Sequence, residues 1–358
     1  MKPSEIVRYL NQHVIGQEEA KRILAVAVYT HFKRTAKSKK ADAVELVKSN
    51  ILLIGPTGTG KTLLCETLAR TLDVPFVTAD ATTLAQSEYV GEEIEAILQR
   101  LIERANGDLD KAQRGIVFID EVDKLKATNA QMRGPSGERV QHALLKIMEG
   151  STVKLSSGEY LDTTQVLFIC GGAFVGLDEI MGRNHSFGFI STSEADSQKI
   201  LDRLNARVKP TDLNEFGLIP EFAGRLPVVA RLNALTRDML VRIMVEPKNS
   251  IYRQFREVLM GEGVELHIEP VVFEQIADLA IEYKAGARSL RGIFEKMLTP
   301  VHYLMPDNPA VKKIVIPSLF EDAKLFGTPV SAAARGLPWV PGIIEGKGGW
   351  EGILRVRL

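Results

Sequence analysis

The stretch Asn50–Thr62, which reads NILLIGPTGTGKT, decides the fold of this chain. Its four consecutive apolar residues, Ile51–Ile54, lead into a glycine-rich turn that ends in lysine and threonine. A continuous apolar run of this kind is typical of a strand that is buried on both faces in a parallel sheet. The residues after the turn have helical composition, so the pattern predicts a strand, a loop and a helix in that order.

The turn itself matches the phosphate-binding pattern GxxxxGK[ST] in full. In this pattern backbone N–H groups surround the phosphates, Lys61 reaches the terminal phosphates, and Thr62 offers its hydroxyl to Mg2+. A plain glycine-rich turn is the alternative, but the flanking strand and helix favour a nucleotide site. We therefore predict that ATP is bound by the turn and the residue after it, which comprise Gly55, Pro56, Thr57, Gly58, Thr59, Gly60, Lys61, Thr62 and Leu63.

A second motif is an acidic pair, Asp120 and Glu121, which directly follows another apolar run, Ile116–Ile119. In P-loop ATPases such a strand supplies an aspartate to the magnesium shell, and we expect it to neighbour the P-loop strand. An Asp-Glu pair alone is weak evidence because turns contain many of them. With the P-loop upstream, we predict that Asp120 joins Thr62 at Mg2+ and that Glu121 polarises the attacking water.

The composition is that of an ordinary globular protein of two or three domains, with 358 residues and 45% hydrophobic content. Lys plus Arg and Asp plus Glu number 45 each, so net charge gives no general case for binding nucleic acid or an anionic membrane. The two cysteines, Cys65 and Cys170, provide neither a disulfide framework nor a zinc site. Without a long apolar run or a signal peptide, we expect a cytoplasmic protein.

The order of the patterns predicts an α/β fold with a second, smaller domain. Strands and helices alternate in residues 1–231, which indicates a P-loop ATPase domain with a parallel sheet flanked by helices. Residues 232–327 are mainly helical in pattern and predict a smaller C-terminal domain. Residues 328–358 are rich in glycine and proline and predict an irregular tail.

Taken together, the segments resemble the ClpX family of AAA+ unfoldases over about residues 3–325. The stretch HVIGQEEAK, which starts at residue 13, is similar to the family's adenine-side box and implies that Val14 and Ile15 contact the adenine. The stretch LIPEFAGRLP, from residue 218, resembles the arginine-finger box and implies that Arg225 reaches a neighbouring subunit's γ-phosphate. The stretch GARSLR, from residue 286, is similar to the sensor-2 motif and implies a nucleotide contact for Arg288.

Two further segments resemble sites for macromolecular partners. The stretch EYVGE, from residue 88, is similar to the family's substrate-gripping pore loop and implies this role for Tyr89, Val90 and Gly91. The triplet Phe187-Gly188-Phe189 resembles the tip of the loop that docks on a ClpP-type peptidase. Local packing of the triplet against its own domain is the alternative.

The chain also departs from the family pattern. The N-terminal domain built on four zinc-binding cysteines is not recognisable, so no zinc is expected. Glu88 stands where the family usually has glycine, which adds a negative charge beside Tyr89. The tail from about residue 328 matches no part of the family.

The resemblance implies an ATP- and Mg2+-dependent unfoldase that forms a homo-oligomeric ring, a hexamer. It would thread unfolded or tagged proteins through its pore, deliver them to a ClpP-type peptidase, and bind neither membrane nor nucleic acid. The related unfoldase HslU is disfavoured because the chain has no room for its inserted domain before Asp120. A clamp or helicase loader is disfavoured by the zero net charge, and an inactive scaffold by the presence of Lys61, Glu121 and Arg225. A stand-alone remodeller of protein or protein–DNA complexes that meets no peptidase stays open.

Overall fold

The computed structural model describes residues 1–37, 48–126, 137–185, 207–327 and 352–356. The chain forms two compact units. The first comprises Met1–Asn11 and Gln17–Asn233, and the second comprises Gln12–Gly16 and Ala234–Leu358. The predicted division after residue 231 lies two residues before the division at Asn233, and no sequence pattern indicates that residues 12–16 join the second unit.

The first unit alternates helices and strands along the chain. Its described elements are α1 (Pro3–Leu10), α2 (Glu18–Lys37), β1 (Ile51–Ile54), α3 (Lys61–Leu72), β2 (Phe76–Asp80), α4 (Ala81–Gln86), α5 (Val90–Arg104), α6 (Leu109–Ala112), β3 (Ile116–Asp120), α7 (Gly137–Glu149), β4 (Thr152–Lys154), β5 (Tyr160–Asp162), β6 (Leu167–Gly172), α8 (Leu177–His185), α9 (Pro210–Phe216), α10 (Pro220–Gly224) and β7 (Val228–Arg231).

Five of these strands form a parallel sheet in the order β2-β3-β6-β1-β7. All four residues of β1 are buried, and the strand lies between β6 and β7, with Ile51 opposite both Ile169 and Val228. The predicted strand buried in a parallel sheet is therefore confirmed. Because the strands are parallel, the loops after β1, β3 and β6 leave at the same edge of the sheet.

The expectation that β3 neighbours β1 is wrong, since β6 lies between them. Pattern analysis orders strands along the chain, whereas in a parallel sheet a later strand can be inserted between two earlier ones through its crossover connection. The chain before β6 folds partly into the antiparallel hairpin of β4 and β5.

The second unit combines helices with a second sheet. Its helices are α11 (Arg237–Val245), α12 (Ile251–Gly261), α13 (Pro270–Glu282) and α14 (Arg288–Leu304), and its strands are β8 (Glu265–Ile268), β9 (Val311–Ile316), β10 (Ala323–Gly327) and β11 (Gly352–Val356). The strands form a mixed sheet in the order β11-β10-β9-β8. The sequence pattern does not reveal this sheet, because strands of four to six residues give little periodic signal. One of them, β11, lies in the segment that was predicted to be irregular.

In the first unit, three side chains tie α2 and the chain before β1 to the residues that precede β6. The partners are three successive backbone carbonyls: His31 contacts that of Gln165 at 2.9 Å, Arg34 that of Thr164 at 2.9 Å, and Lys48 that of Thr163 at 2.8 Å. His31 is buried, and its Nε2 must carry the proton because its partner is a carbonyl oxygen. Burial is the main reason that the pKa of His31 is lowered to about 4, and the nearby charge of Arg34 contributes to the same shift.

This burial makes the stability of the fold depend on pH. Between pH 6.5 and pH 4 the unfolded chain takes up a proton at His31 that the folded chain does not bind, so the free energy of unfolding falls by about 3 kcal/mol as the pH is lowered. The variant His31→Gln keeps a donor for the carbonyl but does not titrate. We expect a shallower loss of stability between pH 7.5 and pH 5 in urea unfolding. An equally steep loss would contradict the assignment, and His142→Gln on the exposed face of α7 is the control.

Candidate nucleotide-binding site

The P-loop owes its shape to glycines in conformations that other residues rarely adopt. Gly58 has φ +77° and Gly60 has φ +94°, both in the left-handed region. Gly60 directly precedes α3, whose first turn carries N–H groups without partners inside the helix. The loop and the helix end therefore present donors and a positive partial charge to an anion, as the sequence pattern predicts.

The start of the loop is fixed by close contacts with the neighbouring strands. The N–H of Gly55 donates to the carbonyl of Gly172 at 3.1 Å, and the N–H of Leu232 donates to the carbonyl of Ile54 at 2.7 Å. A Cβ atom at position 55 would lie only 2.8 Å from Leu232 Cβ. A side chain at this position would push the loop away from the chain that follows β7.

Lys61 is held inside the loop. Its side chain is only 8% exposed, and its Nζ donates to the carbonyl oxygens of Gly55 at 2.6 Å and Pro56 at 3.2 Å. Thr59 also donates its hydroxyl to the Pro56 carbonyl, at 2.8 Å. These bonds hold the ammonium group against the first two residues of the loop, and Lys61 itself is the first residue of α3. A phosphate chain at that helix end would meet a positive charge that is already positioned.

The predicted magnesium ligands lie in one cavity. Thr62 at the start of α3 and Asp120 at the end of β3 both line a cavity of about 390 Å³. A hydroxyl and a carboxylate oxygen are ligands that Mg2+ prefers, and the ion usually keeps its other positions for phosphate oxygens and water. Over the described ranges, no group of three or more His, Cys, Asp or Glu side chains is placed to hold a metal ion. The residues present therefore fit a magnesium ion bound mainly through a nucleotide.

The same cavity contains a cation that the sequence analysis did not select. Arg100, on α5, lines it together with the acidic residues Asp80 and Glu93. Asp80 is also occupied structurally, because its carboxylate caps α4 by accepting from the N–H of Thr82 at 2.7 Å. Nothing in the sequence distinguishes Arg100 from other helical arginines, and only the packing of α5 beside β2 reveals its place.

The chain turns sharply at Glu121. This residue has φ +60° and ψ +29°, a left-handed conformation that costs a residue other than glycine about 1–2 kcal/mol. Its N–H donates to Oδ1 of Asp120 at 2.9 Å, and the buried 3-10 turn Val122–Leu125 follows. Such strained backbone is concentrated at functional sites, where the surrounding packing maintains it.

Two glycines at the end of β6 make room for the acidic residues, and the sequence analysis gave them no role. A Cβ atom on Gly171 would lie 2.7 Å from Cζ of Phe118 and 3.2 Å from Oδ1 of Asp120. A Cβ atom on Gly172 would lie 2.6 Å from Oδ1 of Asp123. The available signal was a Gly-Gly pair that ends an apolar strand, which often marks a close approach of another group.

Both cysteines of the chain are inert by environment. Burial raises the pKa of the Cys65 thiol well above its ordinary value, and the charge of Asp120 raises it further. Burial raises the pKa of Cys170 to about 12. Because the thiolate is the reactive form, neither cysteine supplies a nucleophile near the P-loop.

Arg225, the predicted arginine finger, lies at the other end of β1. Its carbonyl accepts from Nδ2 of Asn50 at 3.2 Å, and Asn50 directly precedes β1, whereas Gly55 directly follows it. With a rise of about 3.3 Å per residue, Asn50 and Gly55 are separated by about 16 Å. The guanidinium pairs with Glu149 at 2.7 Å. The structure therefore does not bring Arg225 to the P-loop of its own chain.

Three predicted nucleotide contacts belong to the second unit. Val14 and Ile15 are buried. Arg288 is exposed and is the first residue of α14, where a positive charge is unfavourable for the helix dipole. Helix stability therefore does not explain an arginine at this position. The contacts of these residues with a nucleotide stay predictions.

The predicted pore segment contains one exposed large side chain. Tyr89 directly precedes α5 and is 63% exposed, whereas Val90 is only 2% exposed and packs in the hydrophobic core. Gly91 is exposed. The expectation that the valine also faces a channel does not agree with this burial. The predicted docking triplet Phe187-Gly188-Phe189 lies outside the described residues.

We predict that Gly171→Ala destabilises the protein, because the added methyl group presses on Phe118 and Asp120 in a packed strand. Overpacking of this kind costs about 1–3 kcal/mol. The control is Gly182→Ala on α8, where a Cβ atom would have no neighbour within 4 Å; alanine in a helix gains about 0.5–1 kcal/mol over glycine. Urea unfolding measures both variants. Equal free energies of unfolding for the Gly171→Ala variant and the parent would contradict the prediction, since β6 would then accommodate the added methyl group.

Among the residues that the structure describes, no helix is both long and apolar enough to cross a membrane. Residues 46–229 match the family model of the AAA domain (Cdc48 subfamily). This range contains the P-loop, Asp120, Glu121 and Arg225, so the family match and the site geometry concern the same part of the chain.

The chain is also similar to curated proteins with the name "ATP-dependent Clp protease ATP-binding subunit ClpX". The protein from Treponema denticola is 47% identical over 330 residues, which cover 88% of this chain and 80% of the relative. The protein from Bacteroides thetaiotaomicron is 45% identical over 320 residues, which cover 85% and 77%. The protein from Porphyromonas gingivalis is 42% identical over 339 residues, which cover 90% and 82%.

These matches extend well beyond the P-loop and include both compact units. AAA ATPases bind nucleotide with Mg2+, and this chain is an ATPase of that class. It belongs to the ClpX family of AAA+ ATPases.

Proposed function

We propose that this protein is an ATP-dependent unfoldase that works as a homohexameric ring. The observation that carries the proposal is the position of Arg225, which is tied to the edge of the sheet opposite its own P-loop. An arginine that serves phosphoryl transfer from there must reach the nucleotide of another copy. Such a head-to-tail contact between identical subunits generates a ring when its rotation closes.

We assign each site residue a role that its placement or the family resemblance supports. Lys61 and the N–H groups at the start of α3 orient the phosphates, and the family resemblance assigns nucleotide contacts to Val14, Ile15 and Arg288. Thr62 and Asp120 hold Mg2+, which neutralises charge on the phosphate oxygens when bound. Glu121 accepts a hydrogen bond from the attacking water and orients it, and Arg225 of a neighbouring copy stabilises the charge on the transferred phosphoryl group.

The exposed tyrosine supports the coupling of hydrolysis to movement of a polypeptide. Tyr89 directly precedes α5, and α5 packs against β2. The end of β2 lines the same cavity as Thr62 and Asp120. A shift of α5 between nucleotide states would therefore move Tyr89. Unfolding a typical domain requires only about 5–15 kcal/mol at equilibrium. We assign the grip on the polypeptide to Tyr89 and flanking Gly91, and a packing role to Val90.

The names of the relatives support a peptidase partner, since each is an ATP-binding subunit of ATP-dependent Clp protease. We propose that the ring delivers unfolded or tagged proteins to a ClpP-type peptidase in the cytoplasm. In this proposal Phe187-Gly188-Phe189 contacts the peptidase.

We predict that Glu121→Gln lowers the rate of ATP hydrolysis at least about 100-fold, because a base or water-orienting group contributes about 10²–10⁴ to the rate. ATP binding should persist, since the P-loop residues are intact. Phosphate release and the binding of a fluorescent ATP analogue measure the two effects. The matched control is Glu103→Gln on the exposed face of α5. Normal turnover of the Glu121→Gln variant would remove Glu121 from the mechanism.

The proposed function is tested with a degron-tagged fluorescent protein, with ATP and a ClpP-type peptidase present together or singly. We expect loss of fluorescence only when both are present, because the peptidase removes the unfolded product. Steady ATP hydrolysis with unchanged fluorescence in every mixture would contradict the unfoldase proposal.

In the same assay, Tyr89→Ala should abolish the loss of fluorescence while ATP hydrolysis continues, because the exposed ring that grips the polypeptide is removed. Tyr89→Phe keeps the ring and is the matched control, which should retain most of the parental activity. Parental unfolding by the Tyr89→Ala variant would show that another residue grips the substrate.

A further inference from the structure

The guanidinium of Arg225 is held by a carboxylate of its own chain. Oε1 of Glu149 accepts from Nε of Arg225 at 2.9 Å and lies 2.7 Å from one of its terminal nitrogens. The two side chains are 43% and 41% exposed, so a phosphate group that approaches from outside can reach the arginine. Glu149 accepts from two of the five N–H donors that a guanidinium carries, so the other edge of the Arg225 guanidinium can bind a second anion.

The position of Glu149 is not explained by the stability of its helix. It is the last residue of α7, where a negative charge is unfavourable for the helix dipole. The next residue, Gly150, ends the helix with φ +105°, and a Cβ atom there would lie 3.0 Å from Oγ1 of Thr164. The C-terminal end of α7 is therefore fixed against Thr164, and this fixes the position from which the side chain of Glu149 extends.

One buried amide fixes the backbone on both sides of this ion pair. Nδ2 of Asn50 donates to the carbonyl of Met148, next to Glu149, and to the carbonyl of Arg225, each at 3.2 Å. Asn50 is fully buried and directly precedes β1. The end of α7 and the turn after α10 are thus held to the strand that carries the P-loop.

We propose that Glu149 is a positioning residue for Arg225. This proposal rests on the proposed role of Arg225 at the nucleotide of a neighbouring copy. An arginine side chain has several rotatable bonds, so much of its conformational freedom is lost when it binds a phosphate. The bond to Glu149 restricts that freedom beforehand, on a backbone that Asn50 has already fixed. The other edge of the guanidinium then faces the incoming phosphate oxygens in a prepared orientation.

The test is a double-mutant cycle on ATP hydrolysis with Glu149→Gln, Arg225→Ala and the double variant. Loss of an exposed ion pair should lower kcat about two- to fivefold and leave KM unchanged. In the Arg225→Ala background, Glu149→Gln should have no further effect, because no guanidinium is left to position. Glu149→Asp, which keeps the charge on a shorter side chain, should recover part of the lost kcat.

The matched control is Glu215→Gln, which removes the carboxylate of another exposed ion pair in the same unit, 3.1 Å from Arg183, and should leave kcat at the parental value. A Glu149→Gln variant that hydrolyses ATP as fast as the parent or faster would overturn the proposal. An equal loss of kcat in both backgrounds would also overturn it and assign Glu149 a structural role. If Arg225→Ala itself keeps the parental kcat, the proposed function of Arg225 fails first, which separates the two failures.

Discussion

The burial of β1 between β6 and β7 is the constraint on which the first unit depends. All four residues of the strand lie in the core, so its two ends have fixed positions in the sheet. One end continues into the P-loop at Gly55. The other begins at Asn50, whose side chain holds the carbonyl of Arg225. A single short strand therefore fixes the separation between the P-loop and Arg225, the proposed arginine finger.

The carboxyl edge of the sheet shows how local backbone requirements converge on one site. Gly58 and Gly60 adopt left-handed conformations in the loop after β1, and Glu121 adopts one after β3. At the end of β6, Gly171 leaves the space that the carboxylate of Asp120 occupies. Each requirement is weak evidence alone, but the parallel arrangement of the strands places all of them at one edge.

Much of this site could be predicted from the sequence because its signals are local. The P-loop pattern specifies the conformation of consecutive residues, and the acidic pair at Asp120 follows an apolar strand that periodicity detects. The family resemblance then selected Arg225 from 45 basic residues, which residue patterns alone cannot do.

The features that the sequence did not predict depend on contacts between distant segments. The insertion of β6 between β1 and β3 is a property of the crossover, and the ion pair of Arg225 joins residues 76 positions apart. Val90 occupies a pore-like motif but is buried, because it is the first residue of α5 and its side chain packs in the hydrophobic core. The sheet of the second unit pairs short strands that are individually ambiguous.

The central claim is that Arg225 completes the site of a neighbouring copy, and a subunit-mixing experiment tests it most directly. Glu121→Gln copies lack the water-orienting carboxylate but keep the arginine, whereas Arg225→Ala copies have the reverse defect. Rings of either variant alone should hydrolyse ATP at only a small fraction of the parental rate. When equal amounts are co-expressed and assemble at random, about a quarter of the sites should combine an intact Glu121 with an intact neighbouring Arg225, and turnover should recover to about that fraction. Mixed rings that remain as inactive as the two parents would contradict the claim.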